Sequence, residues 1–535
     1  MSIPGLGQDE PYEDTVQSQI GQLKVDTHEV QKEQEWRFEV AINRSIEVKI
    51  LKGSAEIYGT ELVVGHPYTF VATKAAVYTW TGCTIEVFYE PGAVVSEYIA
   101  EETIVNECVN THLALETMRT KAERVLPENG TTPTNDIGPR VLILGPDNAG
   151  KTSLAKTLTS YAIRSNRSPV VVGLDPAEGI LSLPGTLTAT VFKTLIEVEA
   201  DAGSGWGTSP MSGPNGEIPV KLPLVYYFGG TDPSEKDGKL YKSQTTRLAL
   251  SVQGRMNSAG NQDVKSSGII IDTPGTLVGG KQASTGYGLV AHIVSEFSIN
   301  AIICLGSERL YSDMVRKFDR QPVSGANSGA DLTVKEVISV VKLPKSGGVV
   351  DRDTAYMRAV AEAQIRAYFY GNPKVGANIS LQPRQQQVDF DALPTVWRRI
   401  SEHAMSYSDP YSTDQEDSFL PGGTDDSEYA PPGLSGLTGA TSMVPLPANQ
   451  LFEKLNSPVP ALRNAVLAVM NCAPDPEPAV EQETLRDSSC MGFLYVADID
   501  EARGKISLLS PVAGRVPNRA LVWGEGLEGI MGVVG

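Results

Sequence analysis

Val141-Leu-Ile-Leu-Gly145-Pro-Asp-Asn-Ala-Gly150-Lys151-Thr152 joins an apolar run to a glycine-bounded loop that ends in Lys-Thr. Its four apolar residues predict a buried parallel strand, and the run from Ser153 to Tyr161 predicts a helix directly after the glycine loop. The loop matches the GxxxxGK[ST] phosphate-binding motif in the strand–loop–helix setting that the motif requires. Backbone N–H groups of such a loop surround phosphate oxygens at the positive end of the helix. The sequence therefore predicts that the chain binds a nucleoside triphosphate.

The loop also supplies the predicted phosphate and magnesium ligands. Lys151 is expected to reach the β- and γ-phosphates, and the Thr152 hydroxyl to hold Mg²⁺. The predicted nucleotide contacts are Gly145, Asp147, Asn148, Ala149, Gly150, Lys151, Thr152 and Ser153. The alternative is a plain glycine turn between a strand and a helix, which the context of the motif disfavours.

The composition indicates an intracellular chain with no membrane segment. At 535 residues the chain has room for about three domains. No apolar run approaches the roughly 20 residues of a membrane span, and Met1–Pro11 lacks the basic and apolar parts of a signal peptide. Its five cysteines and five histidines are scattered, which favours reduced thiols and disfavours a zinc site.

The net charge of −19 bears on the partners of the chain. Proteins that depend on non-specific nucleic-acid affinity are normally basic, because contacts to phosphate dominate that affinity. Any RNA contact here is therefore expected to be weak and confined to a local basic groove. The acidic surface fits protein partners equally well.

The hydrophobic pattern divides the chain into four parts. Residues 1–34 are polar and acidic, which predicts a flexible segment. Alternating strands and glycine turns over 35–126 predict a β-sandwich with an exit helix from about Asn110 to Leu126. Strands alternate with helices over 140–385, which predicts a three-layer α/β domain with a mostly parallel sheet, and 386–535 is expected to form a small β-rich domain.

Two segments interrupt this pattern. The Gly-, Ser- and Pro-rich residues 201–219 predict a surface loop inserted in the central domain, and the acidic residues 404–446 predict a disordered insertion in the last domain. The expected central strands are Val141–Leu144, Val170–Leu174, Gly268–Ile271, Ala301–Leu305 and Val337–Leu343.

Two aspartates follow predicted strands of the central domain. Asp175 ends the strand next to the phosphate loop, where open α/β sheets bind ligands. It is a candidate Mg²⁺ ligand or a base for an attacking hydroxyl. Asp272 begins the string Asp-Thr-Pro-Gly275, which matches the DxxG motif that contacts a γ-phosphate and makes Asp272 a second candidate metal ligand. For either residue the alternative is a strand-end aspartate that caps a turn.

The DxxG string raises the possibility of a GTPase. GTPases recognise guanine with an Asn-Lys-x-Asp loop, and the chain contains no such string. After the strand Ala301–Leu305 come Arg309, Arg316 and Lys317, which could close over phosphates and neutralise charge. A solvated basic face is an equally good interpretation of these three cations.

These residues together resemble the Clp family of polynucleotide 5′-hydroxyl kinases, and within it the fungal branch that serves in pre-mRNA cleavage factor IA. The resemblance extends over nearly the whole chain outside the two insertions. It rests on the phosphate loop and on EWRFEV at 35–40, AEIYGTEL at 55–62, NTHLALE at 110–116, SLPGT at 182–186, PLVYYFG at 223–229, ERLYSD at 308–313, LPKSGGVV at 343–350 and YFYG at 368–371.

The resemblance implies a β-sandwich, a P-loop domain and a small C-terminal domain, with ATP and Mg²⁺ as cofactors. It implies that Glu35 and Lys74 contact the adenine. It further implies a nuclear protein of the 3′-end processing machinery. The implied partners are the large cleavage-factor scaffold subunit, which also contacts the RNA polymerase II tail, and other processing factors.

The chain departs from the active kinases of that family in its substrate-binding motifs. Asp175-Pro-Ala-Glu178-Gly179 carries a glutamate where active members have glutamine, and the added charge is expected to disturb RNA entry. Thr276 replaces the tryptophan that stacks on RNA in the active kinases, a contact of about 1–3 kcal/mol per base. Val315 replaces a lysine. The ATP side is therefore predicted to be intact and the RNA side to be degraded.

Three functions follow from this contrast. The first is an ATP-binding, catalytically inactive assembly subunit of the pre-mRNA 3′-end cleavage and polyadenylation complex. The second is an active RNA 5′-hydroxyl kinase, in which Asp175 accepts the hydroxyl proton and Lys151 stabilises the transferred phosphoryl group. The third, which has the least support, is a GTP switch.

Overall fold

The computed structural model describes most of the three predicted domains. The described residues are 24–41, 44–90, 95–124, 138–199, 206, 223–258, 260–279, 283–323, 336–370, 384–400, 450–511 and 514–524. The predicted insertion 404–446 lies outside them, as does 201–219 apart from Trp206. Within the described residues no helix is long and apolar enough to cross a bilayer.

The N-terminal domain is a β-sandwich, as the alternating pattern predicts. One sheet has the order β1-β8-β3-β6 and the other β5-β4-β7-β2-β9, and alternate side chains such as Trp36, Phe38 and Val87 fill the space between them. Its strands are β1 Lys24–Val30, β2 Glu35–Val40, β3 Ser45–Gly53, β4 Ala55–Ile57, β5 Thr60–Leu62, β6 Pro67–Val71, β7 Lys74–Tyr78, β8 Cys83–Tyr89 and β9 Val95–Ala100.

Strand β1 corrects the prediction that residues 1–34 are flexible. It pairs antiparallel with β8 from Lys24 opposite Tyr89 to Val30 opposite Cys83. The polar sequence conceals this strand because backbone hydrogen bonds, rather than apolar burial, attach it to the sheet, and Val30 is its one fully buried residue. Residues 1–23 lie outside the described part of the chain.

The central domain is a three-layer α/β domain, which confirms the predicted fold class. Its sheet has the order β13-β12-β11-β14-β10-β15-β16. The strands are β10 Arg140–Leu144, β11 Val170–Gly173, β12 Thr186–Val191, β13 Leu224–Tyr227, β14 Ile269–Asp272, β15 Ala301–Leu305 and β16 Ser339–Leu343. The helices are α1 Val105–Arg124, α2 Lys151–Arg164, α3 Lys239–Asn257, α4 Gln262–Ser267, α5 Ala283–Glu296, α6 Glu308–Phe318 and α7 Thr354–Tyr370.

Both faces of the central sheet are covered by helices. On β10, Leu142 and Leu144 pack in a core with α3 and α5, whereas Val141 and Ile143 pack in a second core with α1 and α2. This explains the uninterrupted apolar run of the strand, since alternate side chains are buried on opposite faces. Strands β11, β14, β10, β15 and β16 are parallel, and β12 and β13 add an antiparallel edge that the sequence did not predict.

The C-terminal domain is β-rich, as predicted. Its sheet has the order β17-β22-β21-β20-β23-β18-β19. The elements are β17 Arg384–Asp389, β18 Val396–Arg399, β19 Phe452–Leu455, β20 Val466–Met470, α8 Glu481–Asp487, β21 Cys490–Asp500, β22 Lys505–Ser510 and β23 Leu521–Trp523. The domain is attached to the central one by an ion pair between Arg399 and Glu235 and by packing of Phe493 on Tyr368.

Candidate functional site

A cavity of about 280 Å³ lies between the β-sandwich and the phosphate loop. The sandwich is held on α2 by Glu56, which accepts hydrogen bonds from the Tyr161 hydroxyl (2.5 Å) and from Arg164 (2.8 Å). Residues of the sandwich, of the phosphate loop and of the segment after β16 all line the cavity. They include Glu35, Tyr58, Lys74, Asn148, Ala149, Gly150, Lys151, Thr152, Ser153, Lys156, Glu178, Val349, Arg352 and Tyr356.

The phosphate loop has the conformation that its motif requires. Gly150 precedes α2 with φ +91°, a left-handed conformation that favours glycine. Asn148 is also left-handed, with φ +51°. Lys151 is 8% exposed, and its ammonium donates a hydrogen bond to the Pro146 carbonyl (2.9 Å). The loop therefore has the backbone conformation that a phosphate-binding loop needs.

Two predicted contact residues, Gly145 and Asp147, support the loop and do not line the cavity. Gly145 follows β10 and is closely packed against Leu305. Asp147 lies against Gly275, where a Cβ would come within 2.1 Å of Asp147 Oδ1 and 2.4 Å of its backbone nitrogen. The glycine of the DxxG string is thus required for the contact between the two loops.

Asp272 and Thr152 meet at the base of the phosphate loop. The Thr152 hydroxyl donates to Asp272 Oδ2 (2.6 Å), and Glu178 Oε2 lies 3.2 Å from the same hydroxyl. Asp272 is 1% exposed, and among the described residues its Oδ1 finds no hydrogen-bond partner. Asp175 is close by, and its Oδ1 accepts from the Ala177 amide (2.9 Å).

The electrostatics of this group favour a cation. Burial raises the pKa of Asp175 and of Asp272, and the nearby Glu178 carboxylate raises both further. A carboxyl oxygen that is buried without a partner beside a threonine hydroxyl fits the Mg²⁺ sites of nucleotide-binding proteins, where one or two protein ligands are completed by phosphate and water. No group of three or more His, Cys, Asp or Glu side chains in the described residues is arranged to hold a metal by itself.

Glu178, whose carboxylate was expected to add negative charge near the phosphates, is paired with an arginine. Its Oε1 forms an ion pair with Arg352, whose Nε donates to Asn148 Oδ1 of the phosphate loop (3.3 Å). Gln364 also donates to the Glu178 carbonyl (3.3 Å). Arg352 therefore offsets much of the charge that the change from glutamine to glutamate introduces.

Arg352 belongs to a segment that covers the cavity, residues 344–356, which we call the strap. Val349 lies against the loop, since a Cβ at Gly150 would be 3.1 Å from its Cγ2. At the other end the Tyr356 hydroxyl donates to the Ala72 carbonyl of the sandwich (3.0 Å). The strap thus joins the phosphate loop to the N-terminal domain.

The two residues expected to contact adenine lie at the sandwich wall of the cavity. The Glu35 carboxylate accepts from Arg37 Nε (2.6 Å) and from the Thr103 hydroxyl (2.9 Å). Lys74 pairs with Glu39 (3.2 Å), and its ammonium lies 4.9 Å from the centre of the Tyr356 ring. Both side chains are held in place, and their role toward adenine stays a prediction.

The cations expected to act as a lid lie elsewhere. Arg309, Arg316 and Lys317 are exposed on α6, and none of them lines the cavity. Arg316 pairs with Asp313 (3.5 Å), and Lys317 donates to the Tyr287 carbonyl (3.2 Å). Thr276 is exposed in the short 3-10 turn Gly275–Leu277. The structure does not bring these residues into the cavity with the phosphate loop.

Sequence reasoning missed Tyr58, Lys156, Arg352 and Tyr356, which all line the cavity. Three of them come from elements outside the phosphate-binding motif, and Lys156 lies on α2 one turn beyond it. The signal that could have identified Arg352 is its position two residues after the string LPKSGGVV.

Family models match all three domains. The model described as mRNA cleavage and polyadenylation factor CLP1 P-loop covers residues 145–371. The N-terminal beta-sandwich domain of polyadenylation factor covers 29–122, and the Pre-mRNA cleavage complex II protein Clp1 model covers 381–526.

Full-length relatives and solved structures agree with these models. The chain is 44% identical to the mRNA cleavage and polyadenylation factor clp1 of Neosartorya fischeri and 45% identical to that of Aspergillus clavatus, with 100% of each chain covered. It also matches a solved Clp1p–Pcf11p complex with a TM-score of 0.71 and 24% identity, covering 94% of this chain and 98% of that one. Because the identity is 24%, this match shows a shared fold and nothing further about function. The relatives show that the chain belongs to the Clp1 family of mRNA cleavage and polyadenylation factors.

Proposed function

We propose that this chain is an ATP-binding subunit of the nuclear pre-mRNA 3′-end cleavage and polyadenylation complex, and that it acts in assembly without catalysing phosphoryl transfer. The observation that carries the proposal is the cavity enclosed by the phosphate loop, the β-sandwich and the strap. A ligand that contacts all three fixes the orientation of the two domains. It also stabilises the fold, because it binds only the native state.

ATP and Mg²⁺ are the ligands that best fit this cavity. Lys151 and the backbone amides of the loop would hold the phosphates, and Thr152 with Asp272 and Asp175 would hold the metal. Mg²⁺, when bound, neutralises phosphate charge and relieves the repulsion among the buried carboxylates. Glu35 and Lys74 are the groups proposed to contact the adenine.

We infer the absence of catalysis from the residues that would bind the RNA, the acceptor of the phosphoryl group. Thr276 offers no ring on which an RNA base can stack. The lid cations Arg309, Arg316 and Lys317 are exposed and do not line the cavity. Arg316 pairs with Asp313, and Lys317 donates to the Tyr287 carbonyl. Because phosphoryl transfer depends mainly on positioning, these losses affect turnover more than they affect ATP binding.

The partner is proposed from the solved relatives. Those structures contain Clp1p in complex with Pcf11p, and one reports the loss of ATP in a glycine-to-arginine point mutant. We propose that this chain binds the corresponding scaffold subunit, which contacts the RNA polymerase II tail and other processing factors. Contact with RNA is expected to be weak, since the chain carries a net charge of −19.

The proposal is tested by purifying the chain with its scaffold partner and extracting the bound nucleotide. We expect ATP in roughly equimolar amount, and weaker scaffold binding by a Lys151→Met variant that has lost the nucleotide. Guanine nucleotide, or unchanged scaffold binding by a nucleotide-free variant, would contradict the assembly role.

One observation favours a second function, an RNA 5′-hydroxyl kinase. Burial and the nearby Glu178 carboxylate raise the pKa of Asp175 to about 8, close to the pH at which a base would accept a proton from an attacking hydroxyl. If the chain is such a kinase, Asp175→Asn abolishes phosphorylation of 5′-hydroxyl RNA while ATP remains bound.

A further inference from the structure

Lys156 is a buried cation that lines the cavity and has no hydrogen-bond or ion-pair partner among the residues that the structure describes. It lies on α2, is 8% exposed and faces the same cavity as Lys151. Seven Lys and Arg residues are buried in the described part of the chain, namely Arg37, Arg119, Arg140, Lys151, Lys156, Arg398 and Arg399. Each of the other six has a hydrogen bond or ion pair. Within those residues Lys156 has neither.

Two aromatic rings hold the Lys156 ammonium in position. It lies 5.2 Å from the centre of the Tyr58 ring and 5.9 Å from that of Trp206. Trp206 is fully buried, although the segment 201–219 was predicted to be a surface loop. Ring faces attract a cation but do not replace an anion, because their attraction is far weaker than the cost of removing an ammonium from water.

The protein environment shows that the charge is not compensated. Burial lowers the pKa of Lys156 to about 8, and Glu178 and Asp272 only partly oppose that shift. Lys151 has the same exposure but donates to a carbonyl oxygen. Among the described residues no acceptor compensates this buried ammonium, and its position at the cavity wall allows an anionic ligand in the cavity to do so.

The position of Lys156 on α2 identifies that anion. It follows Thr152 by four residues and Ser153 by three, so the three side chains share one face of the helix. Helical side chains lean toward the N-terminus, which brings the ammonium toward the end of α2 where phosphate binds. The strap covers the cavity, so an anionic side chain of a partner protein has poorer access than a small anionic ligand.

We propose that Lys156 binds the phosphate chain of the nucleotide as a second lysine beside Lys151. The inference rests on the proposed function, because it assumes that a nucleotide occupies the cavity. Tyr58 and Trp206 act as positioning residues that direct the ammonium into the cavity. Because neither ring carries a negative charge, the ammonium remains able to pair with an anionic ligand.

The test compares Lys156→Met with the unchanged chain, each stripped of nucleotide, using ATP and adenosine as ligands. Loss of one charge-assisted phosphate contact should weaken ATP binding about tenfold and leave adenosine binding within about twofold. The nucleotide-free variant should melt at a higher temperature, since an unpaired buried charge has been removed. Lys156→Arg keeps the charge and should bind ATP within about threefold of the unchanged chain.

Lys193→Met is the matched control, because it removes an exposed lysine that pairs with Asp263 outside the cavity (3.1 Å). Equal losses of ATP and adenosine binding, with a lower melting temperature of the nucleotide-free Lys156→Met variant, would show a structural role and overturn the proposal. Unchanged ATP binding by that variant would overturn it as well. If the unchanged chain binds no ATP, it is the proposed function that fails.

Discussion

The nucleotide side of the central domain differs from the side where an acceptor would enter. On the nucleotide side the loop residues, Glu178 and Arg352 are tied to one another and to the β-sandwich through the strap. On the acceptor side, Thr276 and the α6 cations are exposed and line no part of the cavity. The same domain thus has an organised cavity beside exposed groups that do not line it. An intact phosphate-binding motif therefore predicts a ligand and leaves the chemistry open.

The largest effect is expected from Lys151→Met. It removes the cation of the phosphate loop, and ATP affinity should fall at least about a hundredfold. Nucleotide content after purification and the melting temperature with added ATP measure this loss. A variant that still co-purifies with ATP would contradict the assignment of the nucleotide side.

A smaller loss is expected from Thr152→Val. The substitution keeps the shape of the side chain but removes the hydroxyl that donates to Asp272 and is proposed to hold Mg²⁺. ATP affinity should fall about tenfold with Mg²⁺ and much less in the presence of a chelator. Equal losses under both conditions would argue against a metal ligand.

Arg352→Gln should release the strap and leave the Glu178 carboxylate unpaired near the phosphates. We expect ATP to dissociate about tenfold faster, measured by stopped-flow displacement of a fluorescent analogue. Glu178→Gln combined with Arg352→Gln should recover part of that loss, because the uncompensated charge is gone. Arg463→Gln, which breaks an exposed ion pair with Asp498 in the last domain, is the control.

Asp175→Asn should make the nucleotide-free protein more stable at neutral pH. Because the pKa of Asp175 is raised on folding, the folded state holds the proton more tightly, and stability falls as pH rises from the ordinary carboxyl pKa through the raised value. The variant does not lose stability in this way. Its free energy of unfolding at pH 7.5 should therefore exceed that of the unchanged chain by on the order of 1–3 kcal/mol. Denaturant unfolding at pH 5 and pH 7.5 measures it, and a gain at pH 5 alone would refute the stated sign.

The smallest effect is expected on the acceptor side. Arg316→Gln removes a cation that is 79% exposed and paired with Asp313. ATP affinity should stay within about twofold, since the residue lies outside the cavity. A tenfold loss would mean that α6 closes over the nucleotide, and the distinction between the two sides would then fail.

Much of the fold could be predicted because its signals are local. The apolar run Val141–Leu144 and the glycine loop predict a strand, a turn and a helix within a few residues, and alternation over 35–126 predicts the sandwich. Strand β1 could not be predicted, because its polar sequence is held by backbone pairing with β8. The antiparallel edge of β12 and β13 was not predicted either, because the pairing of these strands joins residues that are far apart in the sequence.

The candidate site was predictable only where a motif marks it. Thr152 and Asp272 lie 120 positions apart, and parallel pairing of β10 with β14 brings them to 2.6 Å. Arg352, Tyr356 and Lys156 carry no motif, and their places depend on how the strap and the sandwich pack. The ion pair of Glu178 was not predicted for the same reason, because its partner Arg352 is 174 residues away in the sequence.

Following the γ-phosphate distinguishes an ATP that is held from one that is consumed. The purified chain with its scaffold partner is loaded with γ-labelled ATP and Mg²⁺, mixed with 5′-hydroxyl RNA, and the label is followed over hours. We predict that the label stays in protein-bound ATP and that the RNA remains unlabelled. Transfer of the label to the RNA 5′ end, abolished by Asp175→Asn, would contradict the account and establish a kinase.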